Sequence, residues 1–331
     1  MKKLILTLLT LTLVLSFASC GTAESDADTE KLKIVTTVFP QYDFARAVAS
    51  GEPDSVEITM LLPPGSESHD YEPTVSDLAL IEECDLFICV GGETDAWVDS
   101  VLEAIGRSDG VLRLIDMVEL LPEDNSLIME DSHHGHDHAE GEVCEEEHEH
   151  EHDEHTSYDE HVWTSPRNAA YITDVICEAM CEEMPSLADS FRKSADEYIG
   201  KLMALAEDFE SVSENAARDT VIFADRFPFR YLAHDVGITY RAAFSGCSSD
   251  SEPSLSTIYH LTEVAKEKAV PVIFTIEFSS HATADVIAEE CRAAVLELHS
   301  CHNVSKADFE SGITYLDLME KNLDAIKTAL N

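Results

Sequence analysis

A run of histidine and acidic residues in the middle of the chain holds most of the side chains that could bind a metal. It reads HHGHDHAEGEVCEEEHEHEHDEH from His133 to His155. Imidazole suits zinc, copper and nickel, and the interleaved carboxylates keep the local field negative. Because few of these side chains can be buried, we expect residues 130–160 to form a loop outside the core that collects metal ions at low affinity. The alternative is a solvated acidic insert that binds no ligand. The imidazoles of the run belong to His133, His134, His136, His138, His148, His150, His152 and His155.

A second set of potential metal ligands is sparse and lies in four separate loops. His69, Asp225 and Glu277 follow predicted strands, and His161 stands just after the His-rich run. Ligands of parallel α/β sheets bind outside the carboxyl ends of the strands, so we expect these side chains to meet in one cleft. Two imidazoles and two carboxylates would give a borderline divalent cation a compact shell.

Length and charge restrict the class of protein. The chain has 331 residues, which exceeds the size at which one hydrophobic core usually stops growing, so we expect two lobes. The net charge of -45 excludes nucleic acid as a partner, because phosphates demand Lys and Arg. A strongly anionic protein agrees instead with cation handling.

The N-terminus has the pattern of an export signal. Lys2 and Lys3 precede a short apolar segment, 4–15, and small residues lead to Cys20. We expect residues 1–20 to be a bacterial lipoprotein signal peptide, Cys20 to be lipidated, and 21–30 to be a flexible tether that anchors the protein outside the cytoplasmic membrane. The alternative is a plain signal peptide that is cleaved nearby.

Strand and helix patterns alternate through the rest of the chain, which predicts parallel sheets flanked by helices. We expect an N-terminal α/β lobe at 31–186 and a C-terminal α/β lobe at 217–331. Between them, apolar residues recur at spacings of three and four over 187–216. This periodicity predicts one long amphipathic helix that connects the lobes rigidly.

Several motifs resemble those of a known family in order and spacing. They resemble the metal-binding lipoproteins of zinc ABC importers, which are the cluster A-I solute-binding proteins of ZnuA or AdcA type. The resemblance covers nearly the whole chain after the signal. It implies two Rossmann-like α/β lobes joined by a long rigid helix, a metal site in the interlobe cleft, and delivery of Zn²⁺ to an ABC permease by a monomer. The motifs are GSESHDYEP, DEHVWTSP, FADRFPFRYLAHDVGI, AAFSGCSSDSEPSLSTI and ITYLDLMEKNLDAIKTAL.

The resemblance also implies a ligand set. The family's first two histidine ligands fall on His69 and His161, although Glu160 stands where the family usually has Pro, and the late carboxylate falls on Glu277. The family often has a third His where this chain has ADRFPF at 224–229, so Asp225 is taken as the replacement. The alternatives for this third ligand are His234, His299 and His302.

Such a shell leaves the choice of metal open. Two histidines with two carboxylates resemble the manganese-binding relatives, so Mn²⁺ is the alternative to Zn²⁺. The His-rich loop favours zinc, because repeated imidazoles hold Zn²⁺ better than Mn²⁺.

Four of the nine cysteines form two pairs that could have a structural or metal-binding role. The resemblance suggests a disulfide between Cys247 and Cys301. Cys177 and Cys181 lie four residues apart on a predicted helix. They could form a metal pair, but without ligand partners at zinc-site spacing we interpret them as buried thiols.

Two other functional classes compete with a binding protein. A zinc hydrolase would use Glu277 or Asp225 as general base. A shell of four protein ligands would leave little room for a metal-bound water, so we expect no enzyme. A passive metal buffer or an adhesin is the third class.

Overall fold

Two parallel sheets organise the folded part of the chain. The structure, a computed structural model, describes residues 31–67, 71–123, 157–246 and 252–331. One sheet has the strand order β2-β1-β3-β4 and the other β6-β5-β7-β8, so both halves repeat one topology. All strand pairs in both sheets are parallel. The strands are β1 (Leu32–Thr36), β2 (Val56–Met60), β3 (Leu86–Cys89), β4 (Val111–Arg113), β5 (Thr220–Phe227), β6 (Thr239–Ser245), β7 (Val272–Thr275) and β8 (Ala294–Glu297).

Helices connect and cover the strands, which confirms the predicted α/β fold. They are α1 (Phe39–Val48), α2 (Val75–Glu83), α3 (Val98–Ile105), α4 (Pro166–Glu183), α5 (Ala188–Glu214), α6 (Arg230–Val236), α7 (Leu255–Lys268), α8 (Ala282–Cys291), α9 (Lys306–Ser311) and α10 (Tyr315–Leu330). Within the described ranges, no helix has both the length and the apolar character needed to cross a membrane.

Local sequence explains where several helices begin. Thr74 and Thr314 each form a capping box, in which the hydroxyl accepts a hydrogen bond from an Asp backbone N–H and the carboxylate of that Asp accepts one from the Thr backbone N–H. Ser165 caps α4, whose first residue is Pro166. The sequence did not predict the short helix α9, because its six residues are too few to show a helical period of apolar residues.

The long helix α5 has the expected periodicity. Its 27 residues extend over roughly 40 Å at the α-helical rise. The apolar positions that predicted it are all buried, and they include Phe191, Leu202 and Phe209. The helix packs along α4 and also contacts α1 and α10. The proposed lobe boundaries at 186 and 217 stay a prediction.

Residues 32–331 form one compact unit, and residues 1–31 are a separate unit of which only Lys31 is described. A single apolar cluster contains residues of both sheets, such as Ile34 and Ile88 from the first and Phe223 and Phe274 from the second. Each sheet also has a smaller apolar cluster of its own, and the shared cluster is the one that spans both halves. Separating the halves would expose this apolar surface to water, which is unfavourable.

Residues 298–304 join the two halves by hydrogen bonds. This segment, which we call the bridging loop, follows β8 of the second sheet. The carbonyl of His302 accepts from Phe39 N at 3.1 Å, and that of Val304 accepts from Gly65 N at 2.8 Å. Asn303 Nδ2 donates to the carbonyls of Pro63 at 2.9 Å and Ser66 at 2.8 Å. These bonds hold the loop after β2 against the loop after β8.

A buried carboxylate joins three helices at another position. Asp43 on α1 is 1% exposed and accepts from Tyr198 Oη at 3.0 Å and Tyr315 N at 2.7 Å. Arg46 completes its shell, with Nε 3.0 Å from Asp43 Oδ1. Burial raises the pKa of Asp43, and the guanidinium and hydrogen-bond donors offset part of that shift. The carboxylate thereby links α1, α5 and α10.

Replacing Asp43 should destabilise the protein, because Asp43→Ala leaves Tyr198 Oη and the Tyr315 N–H without their acceptor and removes the carboxylate that Arg46 pairs with. We expect a loss of about 3 kcal/mol in the free energy of unfolding, measured by urea denaturation. The matched control is Asp54→Ala, since Asp54 is exposed and should change stability by less than about 0.5 kcal/mol. Equal effects of the two substitutions would contradict the assigned role of Asp43.

Candidate metal centre

A small cavity lies at the carboxyl ends of strands from both sheets. Its volume is ≈ 30 Å³, which is room for one ion or water, whereas pockets for organic ligands begin at about 300 Å³. Two imidazoles, two carboxylates and one guanidinium line it together with backbone and small side chains. The lining residues are Ser66, Glu67, His161, Arg226, Pro228, Gly246, Ile276, Glu277, Phe278, Ser300, His302 and Asn303.

His161 is held in one orientation by a neighbouring carboxylate. It is 1% exposed, and its Nδ1 lies 3.1 Å from Asp159 Oδ1, which also accepts from His161 N at 2.8 Å. A carboxylate on one ring nitrogen leaves the other nitrogen, Nε2, available to a metal. Gly246 packs against the ring, and a side chain there would approach His161 Cε1 to 3.1 Å.

The acidic surroundings of His161 change its protonation. Burial alone would lower the pKa of the imidazole, but the negative charges of Asp159, Glu160 and Glu277 outweigh it and raise the pKa above its usual value. The same charges would stabilise a divalent cation placed beside the ring.

Glu277 is fixed by the bridging loop. It comes two residues after the end of β7, is 8% exposed, and accepts from Ser300 N at 2.7 Å through Oε2. Ser300 Oγ donates to Oε1 of the same carboxylate. Two donors from one residue orient Glu277, whose side chain lines the cavity.

His302 enters the cavity from the same loop. Its ring lies 5.6 Å from that of His161 and 5.1 Å from that of Trp163, measured between centroids. Trp163 is fully buried and donates from Nε1 to the Ser300 carbonyl at 2.9 Å. The indole thus packs behind both imidazoles and ties their two loops together.

Backbone strain is concentrated at this site. Four non-glycine residues in the described part of the chain have positive φ, and two of them, Ala269 and Arg292, end helices in the ordinary way. The other two are Phe278 at φ 62° and Cys301 at φ 62°, which lie beside Glu277 and His302. A left-handed Phe is uncommon, and such strain is often kept at binding sites.

Glu160, which the resemblance places where Pro is usual, points away from the cavity. Its carboxylate accepts from Thr94 N at 3.1 Å and from the Thr94 hydroxyl. A Cβ at Gly92 would lie 2.0 Å from Glu160 Oε2, so glycine there makes room for the carboxylate. The hydrogen bonds of Glu160 thus link the segment that contains His161 with the loop after β3.

Asp225 does not line the cavity, although it was predicted as a ligand. Its carboxylate accepts from Arg226 N at 2.8 Å and Ile276 N at 3.5 Å, and it hydrogen bonds with Ser279. Along β5 the register against β6 shifts between Phe223 and Arg226, so that three residues of β5 match two of β6. Such an irregularity re-aims the following side chains, and the residue of this segment that reaches the cavity is Arg226.

The other predicted ligands have different outcomes. His69 and the eight histidines of the His-rich run lie outside the described residues. His234 has a side chain that is 58% exposed, lies on α6 and does not line the cavity. His299 Nδ1 lies 3.7 Å from Glu277 Oε1 and accepts from Cys301 N at 3.0 Å, so it stabilises the bridging loop. Of the alternatives to Asp225, His302 is the one that lines the cavity.

The suggested disulfide between Cys247 and Cys301 stays a prediction, because Cys247 lies outside the described residues. Cys301 is fully buried, and its Sγ lies 3.7 Å from the His299 carbonyl. It has a left-handed backbone, and its side chain belongs to the apolar cluster that contains residues of both sheets.

Cys177 and Cys181 are buried thiols on α4, as interpreted. With Glu178 they form the one group of three ligand-type side chains, among the described residues, whose atoms lie within 4.8 Å of one another. Burial raises the pKa of the Cys177 thiol to about 12, which opposes metal binding. Glu178 is already paired with Arg192, whose Nε lies 2.9 Å from Oε1.

Sequence reasoning missed Glu67, Arg226 and Ser300. Glu67 lies two residues before His69, and Arg226 lies inside the segment where the family has its third histidine. Proximity to expected ligands was therefore the available signal. Which of two adjacent residues faces the cavity depended on the β5 irregularity, which no sequence pattern marked.

The chain is similar to known zinc-uptake proteins over nearly its whole length. The family model for ZnuA, zinc-uptake complex component A, periplasmic, matches residues 34–329. The high-affinity zinc uptake system protein ZnuA of Bacillus subtilis is 32% identical over 321 residues, which cover 95% of this chain and 93% of that protein.

Two further comparisons involve a longer relative. The zinc-binding lipoprotein AdcA of Streptococcus pneumoniae is 31% identical over 329 residues, or 99% of this chain, but this chain spans only 61% of that protein's length. The crystal structure of the Zn(II)-bound ZnuA-like domain of the same AdcA has a TM-score of 0.71 and 27% identity, and covers 91% of this chain and 99% of that domain. By sequence and fold, the chain belongs to the ZnuA family.

Proposed function

We propose that this protein captures Zn²⁺ outside the cytoplasm and delivers it to an ABC permease for import. The ion would be held by the imidazoles of His161 and His302 and the carboxylate of Glu277, together with His69. The observation that carries the proposal is an ion-sized cavity in which buried His161 and Glu277 are each oriented by a dedicated partner, Asp159 and Ser300.

The ligand types favour zinc over manganese. With His302 in place of Asp225, the set offers up to three imidazoles and one carboxylate, which suits Zn²⁺. Manganese prefers more oxygen ligands. The zinc named in the relatives supports the same choice. The family description of an uptake component and the small cavity both favour binding and transfer over hydrolysis.

Export and anchoring complete the proposal. The sequence pattern ahead of Cys20 supports a lipid-anchored protein on the outer side of the cytoplasmic membrane, and the relative AdcA is named a lipoprotein. The partner would be the membrane subunit of a metal importer. Because the bridging loop bonds the two halves around the cavity, we expect small local movements on zinc binding, without a wide hinge opening.

The His-rich run would supply ions to this site. Its flanks are paired, since Pro122 and Tyr158 form an antiparallel bridge and Asp159 N donates to the Leu121 carbonyl at 3.0 Å. Tyr231 Oη donates to the Asp159 carbonyl at 2.7 Å and so fixes the pair to α6. A segment that starts and ends at one place can be shortened without moving His161.

Deletion of residues 131–156 should therefore leave one tight zinc site. We expect isothermal titration calorimetry and elemental analysis of this shortened protein to give one equivalent of Zn²⁺, bound more tightly than Mn²⁺. His161→Ala in the same background should weaken zinc binding by at least about a hundredfold, since it removes a buried ligand.

The control for this experiment is His234→Ala, because His234 is an exposed histidine outside the cavity. It should bind zinc as the parent does. Loss of all zinc binding on deletion of 131–156 would mean that the His-rich run was the only site, and would contradict the proposal.

Zinc affinity should fall as the pH falls, because protons compete with the metal for imidazole nitrogen. Since the pKa of His161 is raised, the loss should begin at a higher pH than for an ordinary histidine of about 6.5. Asp159→Asn removes the nearest of the charges that raise this pKa and should move the transition to lower pH. Chelator competition between about pH 8 and 5 measures both curves; an affinity that stays constant to pH 5 is incompatible with histidine ligation.

A further inference from the structure

The cavity contains a cationic side chain, which is unexpected where a metal ion should bind. Arg226 lines it beside His161 and Glu277, and its side chain is only 16% exposed. A guanidinium stays protonated at any physiological pH, so it repels a cation at all times. Arg226 must therefore lower the affinity of the cavity for a divalent ion unless its charge is balanced or moved away.

The structure supplies the balancing charge from the opposite half of the molecule. Glu67, in the loop after β2, also lines the cavity, and its Oε1 lies 3.4 Å from Arg226 Nη1. Arg226 belongs to β5 of the second sheet, so this ion pair crosses between the halves. The Glu67 side chain is 44% exposed, and an ion pair that water reaches at this distance is weak and easily broken.

Both partners are attached to a fixed backbone. Asp225 accepts from Arg226 N at 2.8 Å and from Ile276 N at 3.5 Å. These hydrogen bonds stabilise the register irregularity of β5 that directs the Arg226 side chain into the cavity. On the other side, Asn303 Nδ2 donates to the Ser66 carbonyl at 2.8 Å and holds the residue before Glu67. These hydrogen bonds hold the backbone on both sides of the ion pair.

The charge balance favours an exchange of partners. With neutral imidazoles, Glu67 and Glu277 give the cavity two negative charges, and Arg226 gives one positive charge. A divalent cation carries more charge than the guanidinium and can approach the carboxylate more closely, so it competes well for Glu67. When Glu67 contacts the metal, Arg226 loses its partner and is repelled.

We propose that Arg226 and Glu67 form a charge gate on the cavity, in which Glu67 exchanges Arg226 for the metal when the ion binds and Arg226 limits affinity so that the ion can be released. The gate rests on the proposed function, since it assumes that a divalent cation occupies this cavity. It gives Asp225 a positioning role, and it makes Glu67 a metal-contacting residue.

Substitutions at the two positions should shift zinc affinity in opposite directions. Arg226→Gln removes the competing charge and should tighten zinc binding by at least about tenfold and slow its dissociation, whereas Glu67→Gln should weaken binding by about tenfold. Arg226→Lys keeps the charge and should therefore tighten zinc binding less than Arg226→Gln does. Affinity is measured by competition with a chromophoric chelator and dissociation by stopped flow, on the protein lacking residues 131–156.

Arg230→Gln is the matched control, because Arg230 is a nearby arginine that bonds the Pro122 carbonyl and does not line the cavity. It should change zinc affinity by less than about threefold. Urea unfolding of every variant tests for a change in the fold.

An Arg226→Gln variant that folds normally but binds zinc as the parent does, or more weakly, overturns the gate. Unchanged affinity in Glu67→Gln overturns the exchange of the carboxylate between Arg226 and the metal. These results are distinct from failure of the proposed function itself, in which the parent protein would bind no equivalent of zinc in the first place.

Discussion

The bridging loop, residues 298–304, is the element on which both the fold and the site depend. Its backbone accepts hydrogen bonds from Phe39 and Gly65 of the first half, and Asn303 donates to two carbonyls of the loop after β2. The same residues present His302 to the cavity and orient Glu277 through Ser300. The bridging loop therefore both joins the halves and positions the side chains of the site. The apolar cluster that the halves share stabilises this arrangement.

The structural role of each buried carboxylate in this protein depends on its hydrogen-bond partners. Asp43 joins three helices, Asp159 orients His161, and Glu160 ties the segment before His161 to Thr94. Each is nearly inaccessible to water and is satisfied by several donors, as a buried charge requires. The acidic surplus of the chain is thus partly structural, and it also places negative charge around the cavity.

Arg226 stands in the segment of β5 where the resemblance places a third histidine. A chain of the zinc-uptake family therefore has an arginine in its cavity, which by itself would repel a metal ion. The nearby Glu67 offsets this charge, and the pair crosses the space between the halves. The proposed function requires release of the ion as well as its capture, and release requires interactions that can be broken. The proposed charge gate, in which Arg226 competes with the metal for Glu67, would provide such an interaction.

The sequence by itself determined the architecture. Alternating strand and helix patterns predicted the two parallel sheets, and the spacing of apolar residues predicted α5, because burial of one face imposes the helical period. The position of Glu277 after a strand predicted that it would reach the cleft, since parallel strands end at one edge of a sheet. The family resemblance of the motif around Trp163 predicted His161, and His161 and Glu277 both line the observed cavity.

Only the tertiary structure decided which of several neighbouring polar residues reach the cavity. Side chains alternate along a strand, so one extra residue in the register of β5 reverses the facing of those that follow, and Arg226 lines the cavity where Asp225 was expected. His302 was one of three alternatives until the bridging loop placed it opposite His161. Glu160 and Asp159 are adjacent in sequence, yet one bonds Thr94 and the other His161. These choices depend on contacts between segments far apart in the chain, which local periodicity does not encode.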